Sequence, residues 1–170
     1  LIFDSKHPTT ISHFPDTDPD QARERITILR NVWARNHERN PQIRGQVSQL
    51  DYRNNICYDW KIFGGGYCIR VRNRDGMAPD QINIVGNEFI ATSSPQTAVE
   101  LVGGPSNVFM GDNILPPEET ETGDVGSENA LEPVTTVSSS ELRDTVLPTV
   151  GTHFRTVEET DLINEIEAAM

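Results

Sequence analysis

Apolar and polar positions recur along this chain in one short pattern. Four segments read apolar, any, apolar, two of any kind, asparagine: Ile26 to Asn31, Leu50 to Asn55, Ile82 to Asn87 and Val108 to Asn113. Alternation with a period of two predicts strands. The four asparagines follow one another at intervals of 24, 32 and 26 residues. Further strands are expected at Tyr67–Val71 and Ala98–Val102, between the repeated segments. Several short strands per repeat, with glycine and proline at the corners, predict a solenoid. The expected class is all-β, a right-handed parallel β-helix of about four coils over residues 1–115. An ordinary β-sandwich, in which each asparagine merely ends a strand, is the alternative. At the corner of a solenoid, an asparagine is expected to adopt left-handed backbone and to bond its counterpart in the next coil.

The pattern changes after Asn113. Residues 116–133 are acidic, hold proline and glycine and have few large apolar side chains, which predicts a long loop. Two short helices are expected beyond it. Ser138 and Glu141, and again Thr156 and Glu159, have capping-box spacing. Leu142, Val146 and Leu147 supply the first apolar face, Leu162, Ile163 and Ile166 the second, and Gly151 breaks the chain between them. The segment 116–170 is therefore expected to pack on the solenoid as a loop and helical tail.

Composition narrows the partners. A chain of 170 residues fits one domain. It has no run of about 18 apolar residues, so no membrane partner is expected. The net charge is −12, and nucleic acid is not expected as a ligand. The charge is unevenly distributed, however. Eleven of the 14 basic residues lie between Arg23 and Arg74 with only four acids, whereas the chain beyond Asp75 is strongly acidic. Screening confines such fields to roughly 10 Å, so an acidic protein with one basic segment can still attract an anion locally.

Within that segment Arg39 and Arg44 flank Pro41. Proline fixes its own φ and turns the preceding residue away from helix, so both arginines sit on extended or turning backbone. Two guanidinium forks so placed suit carboxylate or phosphate. The plain alternative is a pair of solvated strand-face arginines, ion-paired to Glu38 or Asp51. Arg53 and Lys61 extend the groove if strand alternation aims them there. Cys57 and Cys68 lack metal-ligand spacing; two buried free thiols are expected, with a disulfide left open. The four histidines form no constellation. Trp33, Trp60 and Tyr58 read as core residues rather than sugar platforms. Gly64 to Gly66 reads as a tight corner, because no helix with a Lys-Ser/Thr start follows it.

The stretch Ile26 to Gly45 resembles the core of the pectate lyase superfamily, in which a strand ending in asparagine leads to Arg-x-Pro-x-x-Arg. Here that motif is Arg39 to Arg44, and the next strand ends in Asn54-Asn55, as in the family. The likeness extends from about His7 to Ile166. The resemblance implies a secreted or extracellular, monomeric, right-handed parallel β-helix that cleaves polygalacturonate, an acidic polysaccharide, by β-elimination. It implies Arg39 as the catalytic base and Arg44 as a substrate-binding arginine. The family's upstream lysine position is taken by Thr9, with Lys6 as its possible substitute and Arg53 as a further binder. It also implies calcium, with ligands expected upstream of Leu1, so the chain reads as the C-terminal portion of a lyase or a diverged homologue. The rival expectation is a non-catalytic β-helix that binds acidic polysaccharide or serves a structural surface role.

Overall fold

The computed structural model describes residues 1–6, 8–13, 25–45, 47, 49–60, 66–73, 81–93, 97–104, 107–123, 125–131, 133–151 and 155–169. Among these the strands are β1 (Ile2–Phe3), β2 (Thr10–His13), β3 (Ile26–Leu29), β4 (Val32–Ala34), β5 (Gln42–Gly45) and β6 (Gln49–Arg53). They continue with β7 (Ile56–Tyr58), β8 (Tyr67–Arg72), β9 (Gln81–Val85), β10 (Glu88–Ile90), β11 (Thr97–Val102) and β12 (Val108–Gly111). Two short helices follow, α1 (Leu142–Val146) and α2 (Val157–Ala168). Strands three apart in the chain lie side by side, and every pairing is parallel. The first sheet is β1-β4-β7-β10, the second β2-β5-β8-β11 and the third β3-β6-β9-β12. Three parallel sheets built from stacked strands in this way are consistent with a parallel β-helix.

The repeated segments make up the third sheet. Ile26, Leu50, Ile82 and Val108 share one register position, and Ile28, Tyr52, Ile84 and Met110 share another. Stacking like on like sends both columns into one interior, where they meet Trp33, Ile43, Cys57, Ile69 and Phe89. Each such aliphatic side chain contributes about 1.5–3 kcal/mol by its burial. The ring of Trp60 meets that of Phe89 edge-on at 6.3 Å.

The asparagines form a ladder along the stack. The Asn31 backbone N–H donates to Asn55 Oδ1 at 2.9 Å, Asn55 to Asn87 Oδ1 at 2.9 Å, and Asn87 to Asn113 Oδ1 at 3.0 Å. Each side-chain amide donates to the same oxygen and to strand carbonyls such as those of Ile28, Tyr52 and Ile84. The left-handed backbone falls one residue earlier than expected, at Arg30, Asn54, Gly86 and Asp112, with φ between 50° and 64°. That residue makes the bend, which lets the asparagine aim both its N–H and its side chain along the stack. At Gly86 a Cβ would lie 2.8 Å from Asn54 Nδ2, so glycine there keeps room for the Asn54 side chain.

The Cys57 and Cys68 thiols are not free. They form a disulfide between β7 and β8, and no free cysteine remains. Cys57 is stacked between Trp33 and Phe89 on the inner side of the first sheet. Cys68 enters the same interior from the second sheet, which brings the two Cα atoms to 6.8 Å. They are 11 residues apart in sequence, and that spacing alone does not show that they meet.

The tail covers two outer faces. Leu142, Val146, Leu147, Leu162, Ile163 and Ile166 pack on Val32, Ala34, Ile56 and Tyr58 of the first sheet. Thr156 and Glu159 form the expected capping box. Ser138 does not cap: its hydroxyl donates to the Glu141 carboxylate at 2.8 Å, and the turn there is 3-10. Asp112 accepts from both the N–H and the hydroxyl of Ser139. Asn129 and Val137 bond the third sheet. Asn129 exchanges two bonds with Asn83, and Val137 exchanges two with Asn54.

Candidate functional site

The tail packs on the first and third sheets and meets the second at the Ala98 N–H, while the outer face of the second sheet keeps a row of polar and charged side chains. Thr10 is exposed, and Ser12, Arg44, Arg70, Arg72 and Glu100 are partly exposed. Strand register orders them. Thr10, Gln42, Arg70 and Glu100 form one column, and Ser12, Arg44, Arg72 and Val102 the next. Neighbouring parallel strands lie about 4.8 Å apart, so Arg44 and Arg72 put two like charges side by side.

Arg39 sits on the turn that enters β5, with φ of 68°. The turn is stitched on both sides. Toward the first unit, the Thr9 N–H donates to the Arg39 carbonyl at 3.2 Å, and the His37 N–H donates to the Ser5 carbonyl at 3.0 Å. Toward the third unit, the Asn40 N–H donates to the Cys68 carbonyl at 2.8 Å, and the Arg70 N–H to the Pro41 carbonyl at 3.2 Å. Arg39 Nε donates to Glu38 Oε1 at 3.2 Å. Lys6 is exposed and follows Ser5, whose carbonyl accepts from His37, two residues before Arg39.

Three of the residues singled out from sequence, Lys6, Arg39 and Arg44, therefore lie on the β2–β5 side of the molecule. Arg53 does not join them. It belongs to the third sheet, where its Nε donates to Asp51 Oδ1 at 2.9 Å and its Nη2 to Glu128 of the tail. Burial works against the Arg53 charge, but the hydrogen bonds to Glu128 and Asp51 outweigh it and hold the guanidinium more firmly protonated. Lys61 lies outside the described residues. Trp33 and Trp60 are interior residues, and Tyr58 packs with the helices.

Sequence reasoning missed the group beside Arg39. The Arg70 guanidinium lies 3.7 Å over the Tyr67 ring and is ion-paired to Glu100. Burial pushes the Tyr67 hydroxyl above its ordinary range. The signal for Arg70 and Arg72 was present in the alternation Ile69-Arg70-Val71-Arg72, which aims both arginines away from the interior. The approach of Tyr67 to the Arg39 turn had no local signal.

Calcium takes about six to eight oxygen ligands. Among the described residues no three His, Cys, Asp or Glu side chains gather into a cation site. The described residues do not fit that ion, and no chemistry below is routed through it. Among the described residues no helix is long and apolar enough to cross a membrane.

No protein-family model matches this sequence, and no curated protein matches it. Function must be argued from the residues.

Proposed function

We propose that the chain is a right-handed parallel β-helix of the pectate lyase kind, which binds polygalacturonate on its second-sheet face and cleaves it by β-elimination. The observation that carries this reading is the turn holding Arg39, fixed between Thr9 and β8 and leading into Arg44 on an exposed basic row. In this reading Arg44 takes a uronate carboxylate as a planar fork. Arg39 removes the C5 proton, the C4–C5 double bond forms as the C4–O4 bond breaks, and the departing oxygen takes up a proton. A neutral arginine is reached only where positive neighbours and desolvation disfavour its charge. The basic segment that surrounds Arg39 supports that requirement. The disulfide supports an oxidising, extracellular setting. Calcium, which the family likeness implies, is assigned to no residue here.

A second reading is a non-catalytic module that binds acidic polysaccharide. One observation favours it: the Glu38 carboxylate already engages Arg39 Nε.

One assay series separates the two readings. Unsaturated uronide is followed by ultraviolet absorbance at alkaline pH with calcium, beside a polygalacturonate co-sedimentation assay, for the wild type, Arg39→Ala and Arg44→Ala. The lyase reading expects Arg39→Ala to lose at least about a hundredfold in turnover, with binding retained. Arg44→Ala is expected to raise KM. Equal rates for the wild type and Arg39→Ala remove Arg39 from the mechanism. Binding without turnover in every form decides for the second reading.

A further inference from the structure

Five side chains from three successive units meet in one line across the second sheet: Arg39, Glu38, Tyr67, Arg70 and Glu100. The backbone explains why. The Asn40 N–H to Cys68 carbonyl bond places the 38–40 turn against the first residues of β8. Register then puts Arg70 of β8 beside Glu100 of β11. At one end of the line, Arg39 Nε donates to Glu38. At the other, Glu100 holds Arg70, and Arg70 lies flat over the Tyr67 ring.

Tyr67 is the middle of the line. It is 1% exposed, and the acceptor beside its hydroxyl is the Glu38 carboxylate. The charged groups beside that hydroxyl are Arg70, Glu38 and Arg39. Of these only Glu38 can accept a proton in a hydrogen bond, since guanidinium groups only donate. A buried hydroxyl left unsatisfied costs about 1–3 kcal/mol, so the approach of Glu38 relieves a penalty as well as engaging Arg39.

An exposed arginine–carboxylate pair between chain neighbours is worth little, because both side chains keep many rotamers. Here the Glu38 side chain is only 16% exposed. Its carboxylate meets Arg39 Nε and comes beside the Tyr67 hydroxyl. A carboxylate held in this way cannot follow Arg39 about. Arg39 must come to it, which fixes the plane and direction of the guanidinium.

We propose that Glu38 and Tyr67 are positioning residues for Arg39, with Arg70 and Glu100 as the clamp on the Tyr67 ring. The proposal rests on the reading of Arg39 as the reactive arginine for its catalytic meaning, but the positioning itself is independent of that reading. On this arrangement Glu38 does not contact substrate. Its carboxylate favours the charged guanidinium, which works against a base. It also sets the orientation in which Arg39 meets the ligand, and on this proposal the second effect dominates, so its loss lowers turnover rather than affinity.

The test uses the whole chain as wild type, Glu38→Gln, Glu38→Asp, Tyr67→Phe and Glu100→Gln, each alone and each combined with Arg39→Ala. The first readout is the nitrogen-15 resonance and hydrogen exchange of Arg39 Nε–H. Protection is expected in the wild type. It should be reduced at least about tenfold in Glu38→Gln and Tyr67→Phe and less in Glu100→Gln, with melting temperatures close to wild type. The second readout is kinetic. Glu38→Gln and Tyr67→Phe are expected to lower kcat about tenfold with KM within about twofold, to have no further effect beside Arg39→Ala, and Glu38→Asp is expected to recover part of the loss. Arg39 Nε–H protection unchanged by both Glu38→Gln and Tyr67→Phe overturns the proposal. Kinetic effects that simply add to those of Arg39→Ala also overturn it. A wild type that neither binds nor cleaves polygalacturonate fails the lyase reading instead, and the exchange measurement then decides the positioning alone.

Discussion

Arg143 holds Glu88 through both carboxylate oxygens, with Nε at 2.9 Å from Oε1 and 2.8 Å from Oε2. The same guanidinium donates to the carbonyls of Ile166 and Ala169, each at 3.0 Å. One side chain therefore joins the last strand of the first sheet to the carbonyl end of α2, where cations are favoured. The hydrogen bonds to Glu88 raise the affinity of Arg143 for its proton further, against the opposing effect of burial. The Glu88 side chain is only 6% exposed. Arg143→Met leaves that carboxylate buried without its cation and is expected to cost about 3 kcal/mol. The check is the urea midpoint at constant slope. Arg143→Met combined with Glu88→Leu should recover much of the loss.

The asparagine ladder predicts a gradient along the stack. Asn55 gives and receives at every polar atom of its side chain, toward Asn31, Asn87, Ile28 and Arg53. Asn31 gives to Leu29 and Asn55 and receives from no further rung among the described residues. Asn55→Ala strands several buried groups and is expected to cost about 3 kcal/mol, while Asn31→Ala costs about 1 kcal/mol. Chemical denaturation of the two variants in parallel checks the order; equal losses would contradict it.

Closing the loop between Cys57 and Cys68, which are 11 residues apart, restricts the unfolded chain. Reduction, or replacing both with serine, is expected to remove about 3 kcal/mol. Thiol titration of the unfolded, unreduced protein should find no reactive sulfhydryl from this pair. Two reactive thiols would show that the bond does not form in solution.

Glu119 gives a pH signature. Burial raises its pKa above the ordinary 4.5, although the Ala98 N–H bonded to its carboxylate pulls the other way. A carboxyl whose folded pKa is raised favours the folded state below its unfolded pKa, and that contribution is lost as the pH rises through the folded value. Glu119→Gln keeps an acceptor for Ala98 and carries no charge. The variant should melt with the wild type at pH values below 4.5 and above it at neutral pH. Melting curves over that range test the sign, and a variant less stable at neutral pH would refute it.

Legibility from sequence followed burial. The third sheet was readable because Ile26, Leu50, Ile82 and Val108 face the interior while their neighbours do not, so alternation survives. The first sheet was not readable in the same way. Val32–Ala34 and Ile56–Tyr58 are buried on both faces, by the interior and by the helices, which erases the period. The Arg39 and Arg44 pair was visible because Pro41 marks the turn locally. Glu38 with Tyr67 was not, since backbone bonds to β8, from Asn40 to Cys68 and from Arg70 to Pro41, create that neighbourhood. Arg53 looked available only because its partner Glu128 arrives from 75 residues away.

Glu121 takes the place after Asn113, where its Oε1 accepts from both the N–H and the side-chain amide of that asparagine, at 2.9 and 3.1 Å. An amide receives on one side and gives on the other, so each asparagine passes the sequence of bonds onward. A carboxylate only receives. Glu121 is thus a full stop rather than another rung: it satisfies the final donors and offers none. The same acidic residue that makes the tail look unstructured in composition gives the stack a direction and a defined end, and it denies a further chain the donors needed to add there.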